Sequence, residues 1–388
     1  MGVTTHGTAE AFLRPQLELL SSRGWQVHLV TSSVPASSPL RDVPGIRVHE
    51  IAMIRRASLF VDLRGLFGWT RLLRQIKPDV VLVSTPKASL LGLLSARLTR
   101  VHCRIYHARG LRLEGLTGLQ RHLGGAIEKI CTRSSTSVVC DSESLLTLMR
   151  ELKLLRASQG VVLGSGSACG VNTELFHPEE PNSIDCDRQI TGALETHVVV
   201  GFVGRVCADK GIPELIAAVS ELRKTRSDVS LTLVGELEEP EVLEAHSVEI
   251  ALGGWIRIEG TRTDIPEVMR GFTIFCLPSH REGMPISILE AMSSGLPVVT
   301  TNATGCRDLI ENDVTGFAVP VGDVPALTRA LRRLAEDSQL RGSLGANARK
   351  SVVQDFEQES VNSRFVDFIK DQNLSALVRV SPKVGNHA

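Results

Sequence analysis

The sequence predicts an α/β protein of two Rossmann-like domains, each a parallel sheet doubly wound by helices, facing across a cleft. Three observations carry this expectation. Short apolar runs alternate with amphipathic segments along most of the 388 residues. The alternation occurs twice, on either side of a polar joint. The composition, 43% hydrophobic and 22% charged, describes a soluble globular chain long enough for two cores. Runs that are apolar throughout, rather than at every second residue, belong to parallel strands buried on both faces.

In the first half the strand candidates are WQVHLVTSS, IRVHEIAM, DVVLVST, CRIYHA, TSVVCDS and QGVVLGSG. Helical periodicity separates them at Ala11–Ser21, Leu66–Gln75, Leu90–Leu98 and Leu116–Thr132. In the second half the strands are HVVVGFVG, SLTLVGE, IRIEG, FTIFCLPS, LPVVTT and GFAVPV. Helices are expected near Pro213–Lys224, Asp264–Met269, Ile286–Met292 and Val324–Leu334. The joint falls in HPEEPNSIDCDRQITGALET, so the domains read as 1–178 and 197–346, with a linker over 179–196. Residues 347–388 form a C-terminal helix, periodic over Asn347–Asp371, that crosses back to the first domain, plus a tail. MGVTTHG resembles the end of a first strand and its turn. A central parallel strand normally has ~5–6 residues, so either this strand is short or the native start lies upstream of Met1.

Aromatic residues make up 4% of the chain, with a single tyrosine, which argues against an aromatic-lined groove for single-stranded nucleic acid. No nucleic-acid partner is expected. The net charge is zero, but residues 1–180 hold 22 Lys+Arg against 14 Asp+Glu, so the first half is basic and the second acidic. A basic half suits an anionic partner, such as a diphosphate or a phospholipid surface, or reflects two domains of different pI. The eight cysteines include no CxxC pair and several lie in apolar runs, a pattern of small buried hydrophobes. No apolar run approaches the ~20 residues of a membrane span, and no signal peptide precedes the first helix. The expected location is cytoplasmic, with any membrane contact peripheral. Arg55, Arg56, Arg64, Arg71 and Arg74 surround LFVDLRGLFGW, which reads either as an interfacial amphipathic patch or as a core helix with a solvated face.

Two stretches carry chemistry. In VVVGFVGRVCADKGIPELI, Gly201 and Gly204 let backbone approach a ligand, Arg205 follows, and Lys210-Gly211 opens a helix capped by Asp209 and started through Pro213. Two cations around a helix N-terminus suit a diphosphate: arginine offers a fork of donors, lysine a mobile charge, the helix end its free amides. In SHREGMPISILEAMSSGLPVV, Glu282 precedes a Gly-Met-Pro turn and Glu290 follows it. Pro285 suits a first helical turn, so Glu282 belongs to a loop and Glu290 to the helix's second turn. Carboxylates held so differently are poorly placed to share a proton. Each can accept from a separate pair of vicinal hydroxyls, and the amides of Gly283 and Met284 face the phosphate side. Asp185-Cys186-Asp187 imitates an Asp-x-Asp metal motif, but it sits in the linker with no strand behind it.

These segments, with GTRTDIPEVM, GCRDLIENDVTGFAVPVGD and GSGSACGVNTELFHP, resemble glycosyltransferase family 4, the retaining GT-B group that includes capsule and lipopolysaccharide sugar transferases. The likeness is strongest over Leu163–Asp323 and looser in the first half, through STPKASLLGLLSARL and YHARGLR. It implies that a nucleotide-diphosphate sugar, UDP-linked in the commoner case, is the donor. It further implies that Glu282 holds the hexose hydroxyls, that Glu290 holds the ribose, and that Arg205 and Lys210 neutralise the leaving diphosphate. Gly204 and the turn Gly283-Met284-Pro285-Ile286 complete the donor site, and backbone near Thr261-Arg262 faces the base. His107 corresponds to the histidine near the reacting carbon, or is an ordinary strand-end histidine. Thr5-His6-Gly7 takes the place of the first-domain phosphate loop, without the Gly-Gly of many relatives. Catalysis then needs no metal or other cofactor, and the acceptor is a glycan, possible on a lipid diphosphate at the inner membrane face. Rival readings are a glycoside hydrolase, a phosphorylase of the same fold, and an inactive sugar-nucleotide-binding paralogue.

Overall fold

The computed structural model describes the chain except for Arg55, Ala57 and residues 179–196, 245–253 and 381–388. It forms two units, Met1–Cys169 with Glu359–Ala388, and Gly170–Gln358. The expected linker, with Asp185 and Asp187, lies outside the described residues. The division falls at Cys169/Gly170 rather than at 179–196. The reason is packing: Val171 exchanges backbone bonds with Phe356 (2.9 Å) and Gln358 (3.0 Å), and Phe176 joins the second core.

In the first unit, α1 (His6–Phe12) and α2 (Arg14–Ser22) precede β1 (Val27–Thr31), β2 (Ile46–Glu50) and α3 (Leu59–Ile76). Then come β3 (Val80–Ser84), α4 (Pro86–Leu98), β4 (Cys103–Ala108), α5 (Gly118–Ser134), β5 (Ser137–Cys140), α6 (Glu143–Glu151) and β6 (Gly160–Val162). One helix was expected over Ala11–Ser21; two form, because Pro15 in the first turn of α2 has no N–H to continue α1. The helix α6 is absent from the sequence reading, although Ser142 caps it through the amide of Leu145 (3.3 Å).

All strand pairs in this unit are parallel. The first strand is a stub at Gly2, which bridges Val30 on one side and Val83 on the other. The amide of Gly2 donates to Leu82 O (2.9 Å), and its carbonyl accepts from the amide of Ser84 (3.0 Å). The resulting order is β2-β1-stub-β3-β4-β5-β6. Successive residues alternate between two cores: Val81, Val83, Tyr106 and Val138 face one, and Leu82, Ile105 and Val139 face the other. This is why the strands read as continuous apolar runs.

The second unit holds β7 (Val198–Val203), α7 (Ile212–Arg223), β8 (Val229–Val234), α8 (Glu241–Glu244), β9 (Ile256–Gly260) and α9 (Ile265–Arg270). It continues through β10 (Ile274–Leu277), α10 (Ile286–Ser293), β11 (Val298–Thr301), β12 (Gly316–Val319), α11 (Val324–Glu336) and α12 (Ser338–Asp355). Its parallel sheet has the order β12-β11-β10-β7-β8-β9, the same winding as the first. The C-terminal periodicity is two helices, not one: α12 ends at Asp355 and α13 (Gln358–Val380) begins past the buried Phe356. In the first unit α13 buries Phe365, Val366 and Ile369 beside Leu13, Leu17 and Leu29, and Arg23 pairs with Asp367 at 2.8 Å.

Candidate active site

In the second sheet the chain leaves β7 toward β8 and returns to β10 on the opposite side of β7. Doubly wound sheets bind ligands beyond the carboxyl ends of the strands at such a reversal. Two loops meet there, Gly204–Lys210 after β7 and Pro278–Pro285 after β10. Gly211 adopts φ +73°, and a Cβ on it would lie 2.1 Å from the carbonyl oxygen of Pro278, so only glycine lets these loops touch. Gly211 itself is the N-cap of α7, with Pro213 in the first turn. Asp209, expected as the cap, instead binds Arg281 in bidentate fashion, Nε to Oδ1 at 3.0 Å and a terminal nitrogen to Oδ2 at 2.8 Å. Its carbonyl accepts from the amide of His280 (2.9 Å), and His280 Nε2 meets Glu214 at 2.8 Å.

The two cations both have carboxylate partners. Lys210 Nζ pairs with Glu282 Oε1, both side chains being largely buried, at 13% and 14% exposure. Arg205 pairs with Glu238, and there the side chains are 43% and 36% exposed. Burial weakens solvent screening, so the lysine pair is the stronger electrostatic unit. Glu282 sits in the loop, its amide donating to Thr304 O (3.2 Å). Gly283, Met284 and Pro285 are buried and Ile286 is half-buried. Pro285 is the N-cap of α10 rather than part of its first turn. The amides of Gly283 and Met284 have no acceptor among the described residues. Gly305, at φ +79°, would place a Cβ 2.2 Å from the carbonyl oxygen of Gly283, which pins that turn from behind.

Glu290 lies in the second turn of α10, as the spacing predicted. Its carboxyl has no hydrogen-bond or ion-pair partner among the described residues, and burial pushes its pKa up to about 7. Thr261 and Arg262 are exposed at the carboxyl end of β9. Arg262 is engaged by Asp264 (2.8 Å) and Glu259 (2.6 Å). No cluster of three or more His, Cys, Asp or Glu residues suited to a metal occurs among the described residues.

The first unit has its own reversal, between the Gly2 stub and β3. Thr5 is the N-cap of α1, and His6 and Gly7 open that helix. The hydroxyls of Thr4 and Thr85 lie 2.8 Å apart. Thr85 holds φ +71°, a costly conformation for a β-branched residue and typical of functional crevices. Lys87 contacts both oxygens of Asp62, at 2.7 and 2.6 Å.

His107 lies in β4. Its side chain is fully buried. Its Nε2 lies 2.6 Å from Asp141 Oδ1, and the Phe365 ring lies 5.0 Å away. Burial holds its pKa low despite Asp141, so Nε2–H donates to the carboxylate while Nδ1 has no partner among the described residues. A histidine so placed ties β4 to the residue that follows β5 through Nε2. Arg109, two residues further on in YHARGLR, stands just past the carboxyl end of β4. Its signal in the sequence is a charged residue just beyond the carboxyl end of an apolar strand.

This arrangement defines a doubly wound α/β protein with a charged crevice at the carboxyl ends of its second sheet, and comparison with known proteins gives the family. Residues 7–166 match the model described as "Glycosyl transferase 4-like domain", and residues 183–351 match "Glycosyl transferases group 1". Over 364 residues the chain is 32% identical to the capsular polysaccharide biosynthesis glycosyltransferase CapM of Staphylococcus aureus, covering 92% of this chain and 94% of that one. It is 28% identical to the Escherichia coli UDP-Gal:α-D-GlcNAc-diphosphoundecaprenol α-1,3-galactosyltransferase, covering 94% and 92%. Among solved structures, HepE of Anabaena in complex with UDP and glucose superposes with a TM-score of 0.77 at 22% identity, covering 95% of this chain and 98% of that one. The sucrose-phosphate synthase of Thermosynechococcus elongatus gives 0.82 at 20%, covering 96% and 98%. The chain belongs to the family 4 glycosyltransferases, of GT-B fold, and is an enzyme that transfers a sugar to an acceptor.

Proposed function

We propose that the protein moves a hexosyl or N-acetylhexosaminyl group from a UDP-sugar to a hydroxyl of a lipid-diphosphate-linked glycan, with retention at the anomeric carbon and without a metal. The observation that carries this reading is the largely buried Lys210–Glu282 pair at the sheet's reversal, with the carboxyl of Glu290 unpartnered on the helix that follows. A donor diphosphate competes for Lys210 and releases Glu282, whose oxygens then accept from sugar hydroxyls. Arg205, Lys210 and the amides of Gly283 and Met284 stabilise the negative charge that grows on the leaving diphosphate, the main electrostatic demand of glycosyl transfer. Glu290 accepts from the ribose, and the backbone at Thr261-Arg262 meets the base. The relatives named above support the choice of donor and acceptor: one is named for UDP-galactose and a diphosphoundecaprenol-linked sugar, and the Anabaena structure contains UDP.

The site of action on this reading is the cytoplasmic face of the membrane. No described helix is long and apolar enough to cross a membrane. The helix α3 has a core face and an exposed apolar face: Trp69 and Leu73 are core, while Leu59, Phe60, Leu63 and Phe67 are 80%, 77%, 58% and 69% exposed. Leu119, Leu123, Ile127 and Ile130 form a second exposed stripe on α5. Arg56, Arg64, Arg71 and Arg74 are exposed around the first stripe, which complements an anionic lipid surface. The deciding experiment is mass analysis of products from a panel of nucleotide sugars and a short-chain diphosphate-linked glycan, with and without EDTA. Transfer from a UDP-sugar that survives EDTA is expected. Sugar release without nucleotide, or an absolute need for metal, would contradict the reading.

A further inference from the structure

Arg109 is the exception to the pairing that governs the catalytic crevices. All three guanidinium nitrogens, Nε and the two terminal ones, are buried without a hydrogen-bond partner among the described residues. The Phe12 ring covers the group at 5.1 Å from Cζ. Asp141 lends its field but accepts no hydrogen bond from Arg109, its Oδ1 being engaged by His107 at 2.6 Å. A buried, unmatched guanidinium is expensive, since each of its donors has lost water and gained no acceptor. The residue stands just past the carboxyl end of β4, the end of the first sheet where ligands bind. Gly110, at φ +109°, turns the chain away immediately after it.

We propose that Arg109 is the anion ligand of the first unit and binds a phosphate group of a substrate through its guanidinium fork. A planar fork of donors matches phosphate oxygens, and binding one supplies the missing counter-charge. The choice of phosphate rests on the glycosyl-transfer reading, which provides two sources: the diphosphate of the donor nucleotide and that of the lipid-linked acceptor. Phe12 covers the guanidinium and must shift to admit either.

Thermal unfolding of the full chain and of Arg109→Met, alone, with UDP, and with farnesyl diphosphate, tests this, alongside transfer kinetics. Without ligand, Arg109→Met is expected to melt at or above the wild-type temperature, because an apolar side chain of similar length replaces an unpaired charge. It should lose one ligand-induced shift, and its affinity for that ligand should fall about 10- to 100-fold. Loss of the UDP shift assigns the phosphate to the donor, and loss of the farnesyl diphosphate shift assigns it to the acceptor. Arg109→Lys, which keeps charge without the fork, should recover part of the affinity. A lower melting temperature or failure to fold in Arg109→Met, or retention of both shifts and of kcat/KM within about twofold, overturns the proposal. A wild type that transfers sugar while Arg109→Met behaves normally sinks this inference alone. A wild type without transfer, whose phosphate shifts still depend on Arg109, sinks the functional reading alone.

Discussion

The two sheets share one winding order, and both crevices hold paired cations, Lys87 with Asp62 in the first, yet they differ at one arginine. In the second unit three cations at the reversal are matched: Lys210 by Glu282, Arg205 by Glu238, Arg281 by Asp209. In the first, His107 is neutral and occupied by Asp141, and Arg109 is buried with no acceptor. A matched site is stable when empty and must be opened by its ligand, so binding there is an exchange of partners. An unmatched site stores the cost in the free protein and is relieved by its ligand. On the function proposed above, the second unit would bind its ligand by competition and the first by relief of a deficit.

The largest effect should come from breaking the exchange. Lys210→Ala is expected to lower kcat on the order of 10²- to 10³-fold, with Arg205→Ala milder because its pair is more exposed. Steady-state kinetics with a UDP-sugar measures both, and an unchanged kcat for Lys210→Ala removes the lysine from the diphosphate. Next, Glu282→Gln removes the competitor as well as the sugar ligand. Turnover should drop while calorimetric UDP affinity stays the same or tightens; a loss of UDP binding alone would reverse the roles given to the two partners.

A smaller effect is set by pH. The pKa of Glu290 is raised by burial to about 7 in the folded chain, so between the ordinary carboxylate range and pH 7 the folded state binds the extra proton. Its ionisation therefore costs stability as pH rises through that window, and Glu290→Gln should gain melting temperature over wild type at pH 8 but not at pH 5. Ribose hydroxyls favour the ionised carboxylate, so UDP should bind wild type more tightly from pH 6 to pH 8 and release protons doing so. A flat pH dependence in wild type would separate Glu290 from the ribose. The smallest effect concerns the exposed stripe of α3: Leu63→Ser with Phe67→Ser should reduce co-sedimentation with anionic vesicles and leave transfer to a soluble acceptor intact. Equal sedimentation of the two proteins would leave that face without its assigned lipid.

The elements that position the candidate site were legible because they are encoded locally. Continuous apolar runs located the strands, and EGMP separated a loop carboxylate from a helical one, as found for Glu282 and Glu290. What sequence could not give were contacts over long separations. The partner of Lys210 lies 72 residues away, and Asp209 looked like a local helix cap but locks Arg281 in the next loop. His107 is ambiguous in the sequence for the same reason: a strand-end histidine looks alike whether it faces ligand or pairs with an aspartate 34 residues on. The domain boundary also escaped, because the polar stretch 179–196 catches the eye while Val171 decides the matter by pairing with Phe356.

The central claim is that donor binding exchanges the partner of Lys210. A crystal structure of the full chain with UDP tests it directly. The expected result is a Lys210 ammonium within hydrogen-bond distance of a phosphate oxygen, with Glu282 released toward the sugar side and the Gly283 and Met284 amides donating to the ligand. A complex in which UDP is bound while Lys210 and Glu282 remain paired to each other would contradict the account.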